Sequence, residues 1–142
     1  MRLQKVTLAQ AQYVAHELAK ELMPFNEEIP DFTTRYPGVL ESCLEQPFQS
    51  IGGQPVYRYL PHRAAVMFYL IIKNHPFLNG NKRLAVTITM VFFYINGKWI
   101  DVPAKELYDV ACGVAKSKGS ESERATYIKA LTIFFKHNMR SR

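Results

Sequence analysis

The sequence has few cysteines and no apolar run long enough to cross a membrane. Its two cysteines, Cys43 and Cys112, lie far apart and have no second cysteine or histidine at metal-ligand spacing. This excludes a disulfide scaffold and a zinc finger, and it suits a reducing compartment. The most apolar stretch, residues 84–95, is shorter than the roughly 20 residues of a membrane span. No apolar segment follows the N-terminus as in a secretory signal, so we expect a soluble cytoplasmic protein.

Carboxylates are absent from the middle of the chain. Between residues 46 and 100 there is neither aspartate nor glutamate, and the whole formal net charge of +6 belongs to this segment. Its cations are Arg58, Arg63, Lys73, Lys82, Arg83 and Lys98. Such a segment attracts an anion. A solvated surface, with carboxylates close in space but distant in sequence, explains the charge alone equally well.

The rest of the composition indicates one helical domain. With 142 residues, 48% apolar and 21% charged, the chain fits a single globular domain over residues 1–142. Apolar residues recur at helical spacing in most of it. We predict a loop over 24–37, with Pro24 ending the first helix, and a frayed tail over 136–142. The predicted helices cover residues 8–22, 39–44, 62–73, 84–95, 103–114 and 120–135.

One segment has a β pattern. Gly52 and Gly53 separate two short polar and apolar stretches within residues 48–57, as in a tight hairpin. It is the only β signal that we find. The predicted fold is therefore mainly α, a single-domain helical bundle with a short β-hairpin flap.

The segment joining the two most apolar helices combines features of a phosphate site. A loop of small residues runs into a helix N-terminus, where backbone N–H groups and the helix dipole attract anions. Lys82 and Arg83 stand in the first helical turn, where the dipole disfavours cations unless an anion compensates. His75 is close enough to act as a general base. Each residue alone has a simple structural explanation, but together they predict a phosphate cradle beside a base.

These residues resemble the signature of the Fic/Doc superfamily. The signature reads histidine, any residue, phenylalanine, any residue, acid, small residue, asparagine, glycine or lysine, arginine. The chain has His75-Pro76-Phe77-Leu78-Asn79-Gly80-Asn81-Lys82-Arg83, which departs from it at Asn79 alone. Residues 38–42, with the glycine pair of the hairpin, resemble the short helix and flap of the small Doc ("death on curing") branch.

The resemblance implies a role for each position. His75 would deprotonate a hydroxyl group of a target protein, which then attacks a phosphate of ATP. Gly80 and its neighbours would present N–H groups to the phosphates, Asn81 and Arg83 would bind phosphate oxygens, and Phe77 would anchor the loop in the core. The flap would align an extended target segment by strand addition, through Ser50, Ile51, Gly52 and Gly53.

Two positions bear on the type of reaction. Lys82 stands where adenylylating relatives have glycine, which resembles the Doc branch and implies γ-phosphate transfer to a translation factor of the elongation factor Tu type. Asn79 replaces an acid that holds Mg²⁺, so we expect weaker metal binding through its amide oxygen. The alternatives are that Asn79 only caps the helix, that the protein has lost activity, or that it transfers AMP.

The resemblance also implies a partner. Some relatives carry an inhibitory helix with the pattern Ser/Thr-x-x-x-Glu-Gly/Asn, which is absent here, since residues 117–121 are followed by Ser122. Inhibition would come from a separate Phd-like antitoxin. The isoelectric point of about 9.4 leaves a nucleic-acid binder as another class. We disfavour it because no predicted helix has a basic stripe with exposed aromatic residues.

Overall fold

The computed structural model describes residues 2–22 and 28–142. The first helix begins with a capping box in which Thr7 and Gln10 exchange side-chain and backbone hydrogen bonds. It continues through α1 (Leu8–Gln10), a π-helical segment (Ala11–His16) and α2 (Glu17–Leu22). The predicted stop at Pro24 lies outside the described residues.

The other predicted helices are confirmed, with ends that move by a few residues. They are α3 (Val39–Glu45), α4 (Leu60–Asn74), α5 (Asn81–Ile95), α6 (Ala104–Lys116) and α7 (Glu121–Asn138). Two single 3₁₀ turns, Phe32–Thr34 and Gln46–Phe48, lie in the connections.

Helices α4 and α5 form the centre of the fold. Both are buried on nearly every face, as their all-round apolar sequences predict. They pack against each other, with α7 against α4 and α6 against α5. Phe135 of α7 lies edge-on to Phe68 and Phe93, with ring centroids 5.6 and 5.7 Å apart. This arrangement fixes the connection between α4 and α5 at one end of the bundle.

The predicted hairpin is present and short. Strand β1 (Ser50–Ile51) pairs antiparallel with β2 (Gln54–Pro55). The turn needs positive φ at both central residues, and Gly52 and Gly53 have φ of 57° and 80°. Two glycines supply this conformation without the strain that a Cβ atom would add.

The expectations of a single β segment and of a frayed tail were both wrong. Strand β3 (Lys98–Ile100) pairs antiparallel with β4 (Met139–Ser141), so the tail is part of a second two-stranded sheet. The Arg142 guanidinium also lies 4.3 Å from the centroid of the Tyr94 ring. Strands of three residues are too short to show alternation, and the pairing joins segments about 40 residues apart, which a local pattern does not reveal.

The cysteines are free thiols, as expected. Cys43 is fully buried, and burial raises its pKa to about 11. Within the described residues, no helix is long and apolar enough to cross a membrane.

Candidate active site

The motif segment (residues 75–83) turns the chain sharply between α4 and α5. Helix α4 ends at Asn74 and is capped by His75, which has φ 50° and ψ 67° and is the one described non-glycine residue with positive φ. This left-handed conformation ends the helix and leaves the imidazole exposed. Gly80, with φ 79°, precedes α5, and a Cβ atom there would lie 3.3 Å from Cγ1 of Ile29. Glycine therefore fits this turn both in φ and in space.

Asn81 holds the loop in shape. Its Oδ1 accepts a hydrogen bond from the Phe77 N–H at 3.0 Å, and its Nδ2 donates to the Phe77 carbonyl at 2.8 Å. The same Nδ2 lies 3.4 Å from Nδ1 of His75. The Asn81 side chain is 5% exposed, so these bonds satisfy backbone groups that water does not reach. Phosphate binding by Asn81 stays a prediction, and the structure adds a positioning role.

Phe77 anchors the loop in the core, as predicted. It is 1% exposed, and its ring centroid lies 5.7 Å from that of Phe32 and 6.2 Å from that of His16. A hydrogen bond from the Tyr36 N–H to the Pro76 carbonyl, at 2.9 Å, holds the adjacent backbone. These contacts hold Phe77, and with it the loop, in place at the end of the bundle.

The sequence analysis did not identify His16 as a buried residue in contact with the motif segment. It is 3% exposed, and its Nε2 lies 2.8 Å from the Pro30 carbonyl oxygen. The π-helical segment turns the buried face of the first helix, so that His16 points inward while Val14 is 48% exposed. A helical period of 3.6 residues does not reveal such a segment.

Arg83 is also buried. It is 3% exposed, and its Nη2 donates a hydrogen bond to the Ala19 carbonyl at 2.9 Å, which ties α5 to α2. It does not line the cavity beside His75. Phosphate binding by Arg83 stays a prediction.

Most of the other predicted residues surround one small cavity, here called the cradle. Its volume is about 100 Å³, enough for a phosphate group and not for a whole nucleotide. It opens at the N-terminus of α5, where backbone N–H groups and the half-buried Lys82 favour an anion. It is lined by Ile72, His75, Leu78, Asn79, Gly80, Asn81, Lys82 and Ala115.

The cradle offers little to a metal ion. None of the described residues that line it is a carboxylate, and the described part of the chain has no group of three metal-ligating side chains. Asn79 is exposed, and Gly80 is the N-cap of α5 with no side-chain capping bond. The N-cap of α5 is therefore Gly80, so the helix-cap alternative for Asn79 is wrong, and Asn79 is an exposed residue that lines the cradle.

The flap joins the bundle at the N-terminal end of α4, opposite to the end that His75 caps. The Arg63 Nε donates to the Tyr57 carbonyl at 2.8 Å, which places the flap base at the first turn of α4. His75 follows the last turn, about 20 Å away along the axis at roughly 1.5 Å per residue. The four predicted flap residues are exposed and do not line the cradle. Target alignment by Ser50, Ile51, Gly52 and Gly53 stays a prediction.

Comparisons with known proteins agree with the motif. A family model described as "Fic/DOC family" matches residues 5–93, more than half of the chain. The "Toxin Doc" of Mycolicibacterium smegmatis is 32% identical over 60 residues, which cover 42% of this chain and 46% of that protein. The chain thus spans about half the length of this relative. No solved structure matches. The family match includes the cradle loop and ends before α6 and α7.

Proposed function

The chain belongs to the Fic/DOC family, and we propose that it is a Doc-like toxin that transfers the γ-phosphate of ATP to a hydroxyl group of a protein. The observation that carries the proposal is the exposed His75 at the edge of a phosphate-sized cradle. The similarity to a protein named Toxin Doc supports the toxin assignment. The target would be a translation factor of the elongation factor Tu type, reached in the cytoplasm.

The chemistry needs a base and a positioned phosphate. His75 accepts the proton of the target hydroxyl while the hydroxyl oxygen bonds to the γ-phosphorus. The bond from that phosphorus to the bridging oxygen of ATP breaks, and ADP leaves with the electron pair. Backbone N–H groups at the start of α5 and the Lys82 ammonium stabilise the charge that develops on the phosphate oxygens. Asn81 holds the loop that carries both sets of groups.

Mg²⁺ would have few protein ligands at this site and would be held mostly through the nucleotide. When bound, it would neutralise phosphate charge, and it commonly keeps several waters and uses substrate oxygens. Asn79 offers a neutral side-chain oxygen at the cradle, whereas the Asn81 Oδ1 already accepts a hydrogen bond from the Phe77 N–H. We assign Asn79 as its protein ligand.

Labelled ATP tests the proposal. The full chain is incubated with Mg²⁺, a cell lysate and ATP labelled at either the α- or the γ-phosphate. Label from γ-labelled ATP alone on a protein band supports phosphate transfer. Label from α-labelled ATP means AMP transfer instead, and no label from either means that the Asn79 site is inactive.

Lys82 is expected to determine whether the γ-phosphate or AMP is transferred from ATP. The lysine narrows the cradle, so Lys82→Gly opens it, and we expect AMP-modified target to appear beside phosphorylated target. Mass spectrometry of the modified target measures the ratio. A purely phosphorylated product at an unchanged rate would show that Lys82 does not determine the chemistry.

A carboxylate at position 79 is expected to bind Mg²⁺ more tightly than the amide of Asn79 does. Asn79→Asp adds a charge next to the divalent ion, which gains more Coulomb energy than an amide oxygen provides. We expect the Mg²⁺ concentration for half-maximal transfer to fall about tenfold. The same carboxylate repels ATP phosphates, so nucleotide affinity in EDTA should be lower than in the parent. Identical Mg²⁺ titrations of the two proteins would place the metal ligands elsewhere.

A separate antitoxin is the proposed inhibitor. The similarity to a protein named Toxin Doc supports control of the toxicity by a Phd-like chain. Co-expression with the product of a neighbouring small gene, followed by pull-down on the tagged toxin, tests this assignment. Toxicity that no co-expressed neighbour relieves would contradict it.

A further inference from the structure

Three cavities lie in a row, and each shares one residue with the next. The cradle shares His75 with a cavity of about 350 Å³ between the end of α4 and the α6–α7 connection, here called the basic cleft. The basic cleft shares Arg124 with a groove of about 730 Å³ between α4 and α7, here called the α7 groove. His75 therefore stands between the phosphate site and a longer surface path.

The basic cleft carries three cations. Lys73, Lys118 and Arg124 line it, and no carboxylate does so among the described residues. None of the three forms an ion pair within the described part of the chain. Two of them are held by other contacts, since Lys73 Nζ donates to the Ser117 carbonyl and the Arg124 guanidinium lies 6.0 Å from the Tyr69 ring centroid. Cations that no described carboxylate neutralises favour an anionic ligand.

The α7 groove connects this cleft to the flap. Its far end is formed by Tyr57 at the flap base and His62 in the first turn of α4. The centroids of their rings are 4.9 Å apart. Ile128 and Ile133 give it apolar surface along α7. The path from the flap base to His75 is about 20 Å long, which matches about six residues of extended chain at roughly 3.3 Å per residue.

We propose that an extended acidic segment of the target protein lies in the α7 groove and the basic cleft, with its acceptor hydroxyl at His75. The proposal rests on the proposed function and adds its substrate class. Carboxylates beside the acceptor bind the cations of the cleft, and the segment reaches the flap at its other end. The nucleotide occupies the cradle side of His75. This separation suits phosphate transfer, because attacking and leaving oxygens lie in line on opposite sides of the phosphorus.

Peptide binding tests the proposal without relying on transfer. The probes are two fluorescein-labelled hexapeptides with a central threonine, flanked by aspartates in one and by lysines in the other. Fluorescence anisotropy at low salt should show that the full chain binds the acidic peptide and not the basic one. The double variant Lys118→Gln/Arg124→Gln should bind the acidic peptide about tenfold more weakly, while Arg124→Lys keeps most of the affinity because the charge remains.

Lys136→Gln is the matched control, because Lys136 is an exposed cation of the same helix outside the groove. Its peptide affinity should equal that of the parent, and thermal unfolding should show that all variants are folded. Equal acidic-peptide affinity in the double variant and the parent would overturn the proposal. Loss of binding to a fluorescent ATP analogue, with peptide binding retained, would also overturn it and assign the cleft to the nucleotide. Charge-dependent peptide binding in a protein that transfers no label supports the cleft and contradicts the proposed function.

Discussion

His75→Ala is expected to reduce transfer from ATP to the target by about 10²–10⁴-fold and to abolish growth arrest, because general-base catalysis contributes about that factor. His75 is the imidazole at the edge of the cradle, and alanine has no group that accepts the hydroxyl proton. Transfer of the γ-label to the target at saturating ATP is the measurement. ATP affinity should change little, since the other groups that line the cradle remain.

The conformation of His75 calls for a second variant. Its positive φ costs a non-glycine residue about 1–2 kcal/mol, and asparagine tolerates it better than alanine. His75→Asn therefore removes the base with little added backbone strain, and it should be as inactive as His75→Ala while unfolding at the parent's temperature. Full growth arrest by either well-expressed variant would contradict the assigned base.

The sequence predicts the helices well because their cause is local. The capping box at Thr7 and the all-round apolar runs of α4 and α5 each act within a few residues. The cradle follows from the same logic, since one short segment supplies the base, the turn and the helix N-terminus.

The parts that sequence reasoning missed depend on contacts between distant segments. The pairing of β3 with β4, the burial of His16 against Phe77, and the contact between Arg83 and Ala19 join residues far apart in the chain. The flap was predicted as an element, but its placement at the far end of α4 depends on the length of that helix. The basic cleft is lined partly by the α6–α7 connection, in which we find no sequence motif.

Asn81→Ala is expected to destabilise the protein and to remove transfer as well. The substitution leaves the buried N–H and carbonyl of Phe77 without partners, and each unpaired group costs about 1–3 kcal/mol. A loss of about 2–4 kcal/mol lowers the unfolding temperature by roughly 10 °C in a chain of this size. A role limited to binding phosphate oxygens, as the motif resemblance implies, predicts weaker ATP binding with an unchanged unfolding temperature. Calorimetry with and without ATP separates the two roles.

Asn96→Ala provides the matched control for this prediction. Asn96 makes the same type of double contact with backbone, to the N–H and carbonyl of Gln4, but it is partly exposed and remote from the cradle. Water can replace its bonds, so its loss should lower the unfolding temperature less and leave transfer intact. Asn81→Asp sharpens the comparison, because it keeps the acceptor for the Phe77 N–H but points an oxygen at the Phe77 carbonyl. We expect it to be at least as unstable as Asn81→Ala. An Asn81→Asp protein as stable and as active as the parent would show that the loop is held by Phe77 packing alone.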